Sequence, residues 1–251
     1  MSLEQRLNDT LAALLHSGIT REIQNNELIQ CIDLTLLDAE APLSAVNELK
    51  DKASTFKVAA LCLYLQHYGV DDRDVVTATV INFPQGQDSV DNCFEKIDRA
   101  VALGLDEIDY VFPYQDYLSG NTAHALKHCQ EIAENCAQNK LQLKVILETG
   151  AFPNIASIYQ LASELIPMNV HFLKTSTGKT IHGASLSAVF ALLAAIKDAD
   201  SNTGLKVSGG VKTVEQALAY ARLAELMLSK RIGPDWFRIG ASSLLDNLLV
   251  S

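Results

Sequence analysis

Two lysines at the ends of apolar runs are the residues of this sequence best suited to chemistry. Lys174 ends "VHFLK" and is followed by "TSTGK"; Lys206 sits in "LKVSG". Burying an unpaired ammonium costs several kcal/mol. A lysine so placed is therefore either solvated and ion-paired at a rim, or an amine whose charge is easily removed. An ordinary lysine titrates near 10.4, so about a thousandth of it is neutral at pH 7. Desolvation or a second cation lowers that value and turns the amine into a nucleophile. Asp109, in "EIDYVF", supplies a carboxylate that could move protons. Together the three suit Schiff-base chemistry on a carbonyl compound. On the residues alone, ion-pairing of both lysines with Asp or Glu at a rim stays open.

Glycine-rich turns add a preference for anions. "SGGVKT" follows Lys206, and "IGASSLL" opens the last helical stretch. Glycine lets backbone N–H groups approach an anion closely, and a helix N-terminus adds free donors and partial positive charge. Gly209, Gly210, Gly240, Ser242 and Ser243 are the candidate phosphate cradle. Gly178 lies in the turn after Lys174, and Lys179 and Lys212 could add charge. Either loop alone fits ordinary turns and caps; the two together point to a phosphorylated substrate.

These residues need strands to hold them. Short apolar runs lie at 31–35, 57–63, 75–81, 107–112, 143–148, 170–175, 205–209 and 236–240. Helical patterns lie near 43–53, 89–103, 121–138, 154–166, 185–199, 213–229 and 242–250, several with start signals at Asp88/Ser89 or Thr213. Eight strands, each expected to be followed by a helix, predict parallel pairing. Near-continuous apolar strands fit a sheet covered on both faces. The expected fold is an α/β class (β/α)8 TIM barrel, one domain over residues 1–251, with an open doubly wound sheet as the alternative. No GxGxxG follows the first strand, which weakens a dinucleotide-binding version. In such a barrel the strand C-termini carry the chemistry. Those ends hold Asp33 and Thr35, Cys62 and Tyr64, Asp109, Glu148, Lys174 and Lys206, and show no metal quartet.

An extra N-terminal helix over 1–18 precedes the first strand. Ser2 and Gln5 have capping-box spacing, Leu3, Leu7, Leu11, Leu14 and Leu15 form one stripe, and Gly18 ends it. It is expected to cover one end of the core or a partner surface.

The chain has 251 residues, 48% of them hydrophobic, and a net charge of -10. That acidity disfavours nucleic acid and anionic membranes. The longest apolar runs, "VAALCLYL" and "AVFALLAAI", are too short to span a bilayer, and the N-terminus lacks the pattern of a signal peptide. Five scattered cysteines without a CxxC pair fit reduced thiols in the cytoplasm. His124 and His128 have metal-ligand spacing with Cys129 adjacent, but lack a third ligand and are expected on a solvated helix face. Cys93, Cys129 and Cys136 are expected in helix packing and Trp236 in the core. Cys62 is either a substrate contact or a small buried hydrophobe.

The segments "IDLTLL", "VAALCLY", "TVINFPQG", "DEIDYVFPY", "LKVILETG", "FLKTSTGK", "LKVSGGVKT" and "RIGASSLL" occur in an order that resembles deoxyribose-phosphate aldolase, a class I family. The resemblance runs from about Cys31 to Leu249. It implies cofactor-free and metal-free reversible cleavage of 2-deoxy-D-ribose 5-phosphate to acetaldehyde and glyceraldehyde 3-phosphate. Lys174 matches the imine-forming lysine, Lys206 the lysine that perturbs it, and Asp109 the proton-relay aspartate. Asp33, Thr35 and Cys62 match positions near the substrate, and Lys179 a lysine near its polar end. The family habit implies a homodimer. Lys212 stands where the familiar motif has arginine, and gives up the bidentate fork. The tail stops at Ser251 without the tyrosine that assists proton transfer in some relatives, so Asp109 and water are expected to carry that step. Two other functions compete: a transaldolase-like or dehydratase Schiff-base enzyme, and a phosphosugar-binding protein that has lost catalysis.

Overall fold

The alternation of apolar runs and capped helices closes on itself. The computed structural model describes residues 1–16, 21–69 and 74–250. Eight strands follow one another: β1 (Ile32–Leu36), β2 (Ala60–Leu63), β3 (Thr77–Ile81), β4 (Glu107–Val111), β5 (Gln142–Ile146), β6 (Phe172–Lys174), β7 (Gly204–Ser208) and β8 (Phe237–Ala241). Each pairs in parallel with the next, and β8 returns to β1 through Asp33 opposite Gly240. The sheet is a closed barrel, so the doubly wound alternative is excluded.

The outer layer is made of α3 (Leu43–Phe56), α4 (Val90–Leu103), α6 (Thr122–Gln138), α7 (Ile155–Leu165), α8 (Leu186–Asp198), α9 (Val214–Leu228) and α10 (Leu244–Leu249). Short polar residues start several of them. Ser89, Asn154, Ser185 and Thr213 accept hydrogen bonds from the backbone N–H three residues on, and Gln216 completes a capping box with Thr213. Outward residues of the strands, such as Leu34, Leu61, Ile108, Val145, Leu173, Val207 and Ile239, pack against these helices in one core.

Among the described residues, one strand is not followed by the expected α-helix. Among its described residues, the β2–β3 connection holds only a 3-10 turn, Leu65–His67. Tyr68 fills that gap instead. Its ring is buried, and its hydroxyl lies within donating distance of two carbonyls, those of Leu61 (2.7 Å) and Ala78 (2.8 Å). β2 also starts three residues later than the apolar run suggests, because Lys57 is the left-handed C-cap of α3. Two five-residue helices, α2 (Asn25–Ile29) and α5 (Tyr114–Leu118), were not expected.

The N-terminal helix is α1 (Leu3–His16), with Ser2 Oγ accepting from Gln5 N. It lies against α7, α8 and α9. Leu3, Leu7 and Leu14 pack on the core, whereas Leu15, expected on the same stripe, is 84% exposed. Arg6 clamps Asp198 at the end of α8 with two hydrogen bonds of 2.6 and 2.8 Å. Gly18, the expected end of this helix, lies outside the described residues.

Candidate active site

Strand periodicity sends every second side chain into the barrel. On β2 and β3 the inward residues Cys62, Ala78 and Val80 form a small apolar plug. The remaining strands send in charge. Asp33 (β1), Glu107 and Asp109 (β4), Lys144 (β5), Lys174 (β6), Lys206 (β7) and Arg238 (β8) are each 5% exposed or less. Parallel register sets Lys174 beside Lys206, and Lys206 beside Arg238. Small neighbours make room: a Cβ on Gly240 would stand 3.1 Å from Lys206 Cε.

The contacts form a closed ring of alternating sign. Asp109 Oδ2 meets Lys206 Nζ at 2.6 Å, and Lys206 Nζ meets Asp33 Oδ2 at 2.5 Å. Asp33 Oδ1 accepts from Arg238 at 2.7 Å, and Arg238 reaches Glu107 at 3.3 Å. Glu107 pairs with Lys144, which returns to Asp109 Oδ1 at 2.9 Å. Lys144 also lies 3.2 Å from Asp33. Lys174 is attached to this ring from outside, 2.6 Å from Asp109 Oδ2.

Those positions decide the protonation states. Burial disfavours charge on all of them. For Asp109, the three lysines around it override burial and hold the carboxyl well below the usual range. For Asp33, Lys144, Lys206 and Arg238 do the same. Burial also works against Lys144 and Lys206, but their carboxylates outweigh it and raise both. Lys174 goes the other way. Burial pushes its amine below the ordinary lysine value, Asp109 opposes, and Lys206 reinforces. The neighbouring cation thus adds to a lowering in which desolvation is the larger cause.

Lys174 opens onto a mouth cavity of about 320 Å³ at the strand C-termini. Thr35, Lys179, Gly178, Gly209, Gly210, Gly240 and Ser242 line it, as does Lys212. Gly209 and Gly210 have φ of 89° and 88°, which an L side chain rarely adopts. Lys179 Nζ donates to the Leu37 carbonyl (2.8 Å), and Thr35 Oγ1 to its neighbour's carbonyl at Asp33 (2.8 Å). Asp109 and Lys206 lie in the ring beneath the mouth, and three substrate-binding candidates also stand apart from the lining. Asp33 sits beneath the mouth, inside the ring. Cys62 belongs to the apolar plug, and burial pushes its thiol up to about 11. Ser243 is the exposed residue before α10 and does not line the cavity.

Glu148 underpins the loop after β6. It is fully buried, in a left-handed backbone conformation at φ 56°. Its carboxylate accepts from the Thr177 hydroxyl and backbone N–H, and from Thr180 Oγ1 at 3.3 Å. Thr177 Oγ1 in turn accepts from Lys179 N at 3.1 Å.

Lys144, Glu107 and Arg238 were not singled out from sequence. A signal was present: Glu107 and Asp109 are two apart on one strand, and "LKV" recurs on β5 and β7. One expectation is overturned. His128 is buried rather than on a solvated face, because Tyr110 Oη (2.7 Å) and the Asp88 carbonyl (3.1 Å) hold its two ring nitrogens. His124 remains exposed beside Asp116. Among the described residues no cluster of His, Cys, Asp or Glu is arranged to hold a metal. Trp236 and the helix cysteines Cys93, Cys129 and Cys136 are buried as expected.

Comparison with known proteins bears on the barrel and on its family. The family described as DeoC/LacD family aldolase matches residues 27–249. The deoxyribose-phosphate aldolase of Agrobacterium fabrum is 34% identical over 230 residues, 88% of each chain. The tetrameric deoxyribose phosphate aldolase of Aeropyrum pernix superposes with a TM-score of 0.79 at 24% identity, over 96% of this chain and 97% of that one. An aldolase designated QR15 gives 0.75 at 23% identity, over 89% and 96%. Those two superpositions speak for the fold, and the family match with the Agrobacterium relative speaks for descent: the chain belongs to the DeoC/LacD aldolase family.

Proposed function

We propose that this aldolase reversibly cleaves 2-deoxy-D-ribose 5-phosphate to acetaldehyde and D-glyceraldehyde 3-phosphate through a Schiff base on Lys174. The observation that carries it is one buried amine, depressed in pKa, opening onto a cavity whose other wall is glycine turns and two lysines. Neutral Lys174 attacks C1 of the open-chain sugar, and loss of water gives an iminium. The C3 hydroxyl then loses its proton and the C2–C3 bond breaks, its electrons passing into the iminium. Glyceraldehyde 3-phosphate leaves and an enamine stays on Lys174. Protonation of that enamine and hydrolysis release acetaldehyde and the free amine.

The roles follow from the contacts. The iminium keeps the positive charge that the ammonium had, so Asp109 continues to stabilise it. Held as an anion by three lysines, Asp109 is a weak base; protons pass along its Oδ2, which Lys174 and Lys206 share. Positioned proton transfer of this kind contributes on the order of 10²–10⁴-fold. Gly209, Gly210, Gly240, Ser242, Lys179 and Lys212 hold the phosphate. Asp33 acts from beneath, through Lys206, and Cys62 packs the barrel wall. Five free, buried cysteines support a reducing compartment such as the cytoplasm. Association into a homodimer stays with this proposal; no helix among the described residues is long and apolar enough to cross a membrane.

The deciding assay incubates purified protein with deoxyribose 5-phosphate and detects both products. Both are expected, together with an acetaldehyde adduct on Lys174 after borohydride reduction. Phosphosugar binding without products or adduct would instead identify a non-catalytic binder.

A further inference from the structure

The closed ring of charges has a property that no single contact shows. Going round it, Asp109, Lys206, Asp33, Arg238, Glu107 and Lys144 alternate in sign, so three anions meet three cations. The ring is neutral by itself. Lys174 is a seventh charge attached only to Asp109, an oxygen already committed to Lys206. Every other cation has at least two carboxylates; Lys174 has a share of one. If one group must surrender a proton for the buried cluster to be neutral, the contacts leave Lys174 to do it.

We propose that Arg238 and Glu107, at the end of the ring remote from the mouth, are positioning residues that set the proton occupancy of Lys174 through the charge balance of the ring. Neither touches Lys174. Arg238 is suited to the task because a guanidinium stays charged at every working pH. It also stacks over Phe172, with Cζ 5.3 Å from the ring centre, which holds the fork in place. Low local dielectric lets a charge one or two contacts away be felt. Around the amine stand Asp109 from β4, Lys206 from β7, Cys62 from β2 and, beside the β6 loop, Glu148; Lys144 and Asp33 are one contact further, through Asp109 and Lys206, and Asp38, Lys179 and Lys212 line the same mouth.

This inference rests on Lys174 being the imine-forming amine. The test uses acetaldehyde as probe and reads the adduct on Lys174 by mass after reduction, across pH. Removing a cation from the ring leaves it net negative, so Arg238→Met retains the proton on Lys174. Its trapping midpoint rises by about one pH unit or more, a tenfold loss of neutral amine per unit. Removing an anion does the opposite, so Glu107→Gln moves the midpoint down by a comparable amount. Arg238→Lys keeps the charge and returns the midpoint toward that of the unmodified protein. Loss of packing would not shift the two variants in opposite directions. Midpoints that stay in place, or move the same way, overturn the role of the ring. If Arg238→Met does not fold, Glu107→Gln decides alone: a downward shift supports the ring, and no shift or an upward one removes it. An unmodified protein that traps nothing on Lys174 at any pH sinks the Schiff-base proposal instead.

Discussion

Lys174 Nζ and Lys206 Nζ each lie 2.6 Å from the same oxygen, Asp109 Oδ2. The two amines are adjacent in register and both buried, yet they are not equivalent. Lys206 has Asp33 as a second partner at 2.5 Å, while Lys174 has the open mouth. Ion-pairing of the rim lysines and Schiff-base chemistry were posed as alternatives by the sequence. The contacts divide the two lysines: two carboxylates pair Lys206 as a cation, while Lys174 has only a share of Asp109 and, in the proposed mechanism, is the one that loses its proton.

Replacing Lys174 by leucine removes the nucleophile and should take cleavage of deoxyribose 5-phosphate to background. The six remaining charges form a complete ring, so the barrel should unfold no earlier than the unmodified protein; deleting a surplus buried cation removes its desolvation cost. Circular dichroism melting alongside the coupled assay checks both halves. Residual turnover in a folded variant would take the imine away from this lysine.

Lys206→Leu leaves Asp109 and Asp33 with one cation fewer. Asp109 then pairs more fully with Lys174, and the ammonium is favoured. Adduct formation on Lys174 should need a pH about one unit higher or more. An unshifted midpoint would mean that Lys206 acts only in proton transfer.

Asp109→Asn should separate imine formation from catalysis. Asp109 opposes the depression of Lys174, so its loss lowers the amine further and moves acetaldehyde trapping to lower pH. Turnover should nevertheless fall by about 10²–10⁴-fold, since the shared oxygen that moves protons is gone. Parallel trapping and turnover profiles read the two effects. If both fell together at every pH, Asp109 would be needed to form the imine itself.

How much of this was legible beforehand differs between layers of the molecule. The outward faces of β4 to β8 are apolar and each long helix is periodic, so these strands fall within two residues of their sequence-based spans. α2 and α5 are five residues long, too short for a 3.6-residue period to register. Lys174 was visible because it ends β6, and Asp109 and Lys206 because polar loop motifs follow their strands. Lys144, level with Asp109, and Arg238, level with Lys206, lie within apolar runs, Glu107 opens β4, and several of their partners come from strands far apart in sequence. Only closure of the barrel brings β1, β4, β5 and β8 together, and nothing local encodes that. His128 was misjudged for the same reason: its partner Tyr110 lies on the strand beneath it.

Glu148 offers a test of how the phosphate end is recognised. Its carboxylate holds Thr177, and Thr177 Oγ1 holds the N–H of Lys179, so one buried anion braces the turn that brings Lys179 to the mouth. Burial raises the Glu148 carboxyl, and the Thr177 and Thr180 bonds oppose that rise. Glu148→Ala leaves the buried Thr177 hydroxyl and backbone N–H without their acceptor, about 1–3 kcal/mol for each, while the exposed Thr180 hydroxyl keeps the His182 carbonyl. The turn should loosen while Lys174, on the strand before it, keeps its place. The expected outcome is a KM for deoxyribose 5-phosphate raised about tenfold, with kcat changed less and with unphosphorylated 2-deoxyribose affected little. Glu148→Gln keeps an acceptor oxygen and should recover part of the loss. Equal losses on the two sugars would mean that Glu148 supports the barrel in general and not the phosphate end.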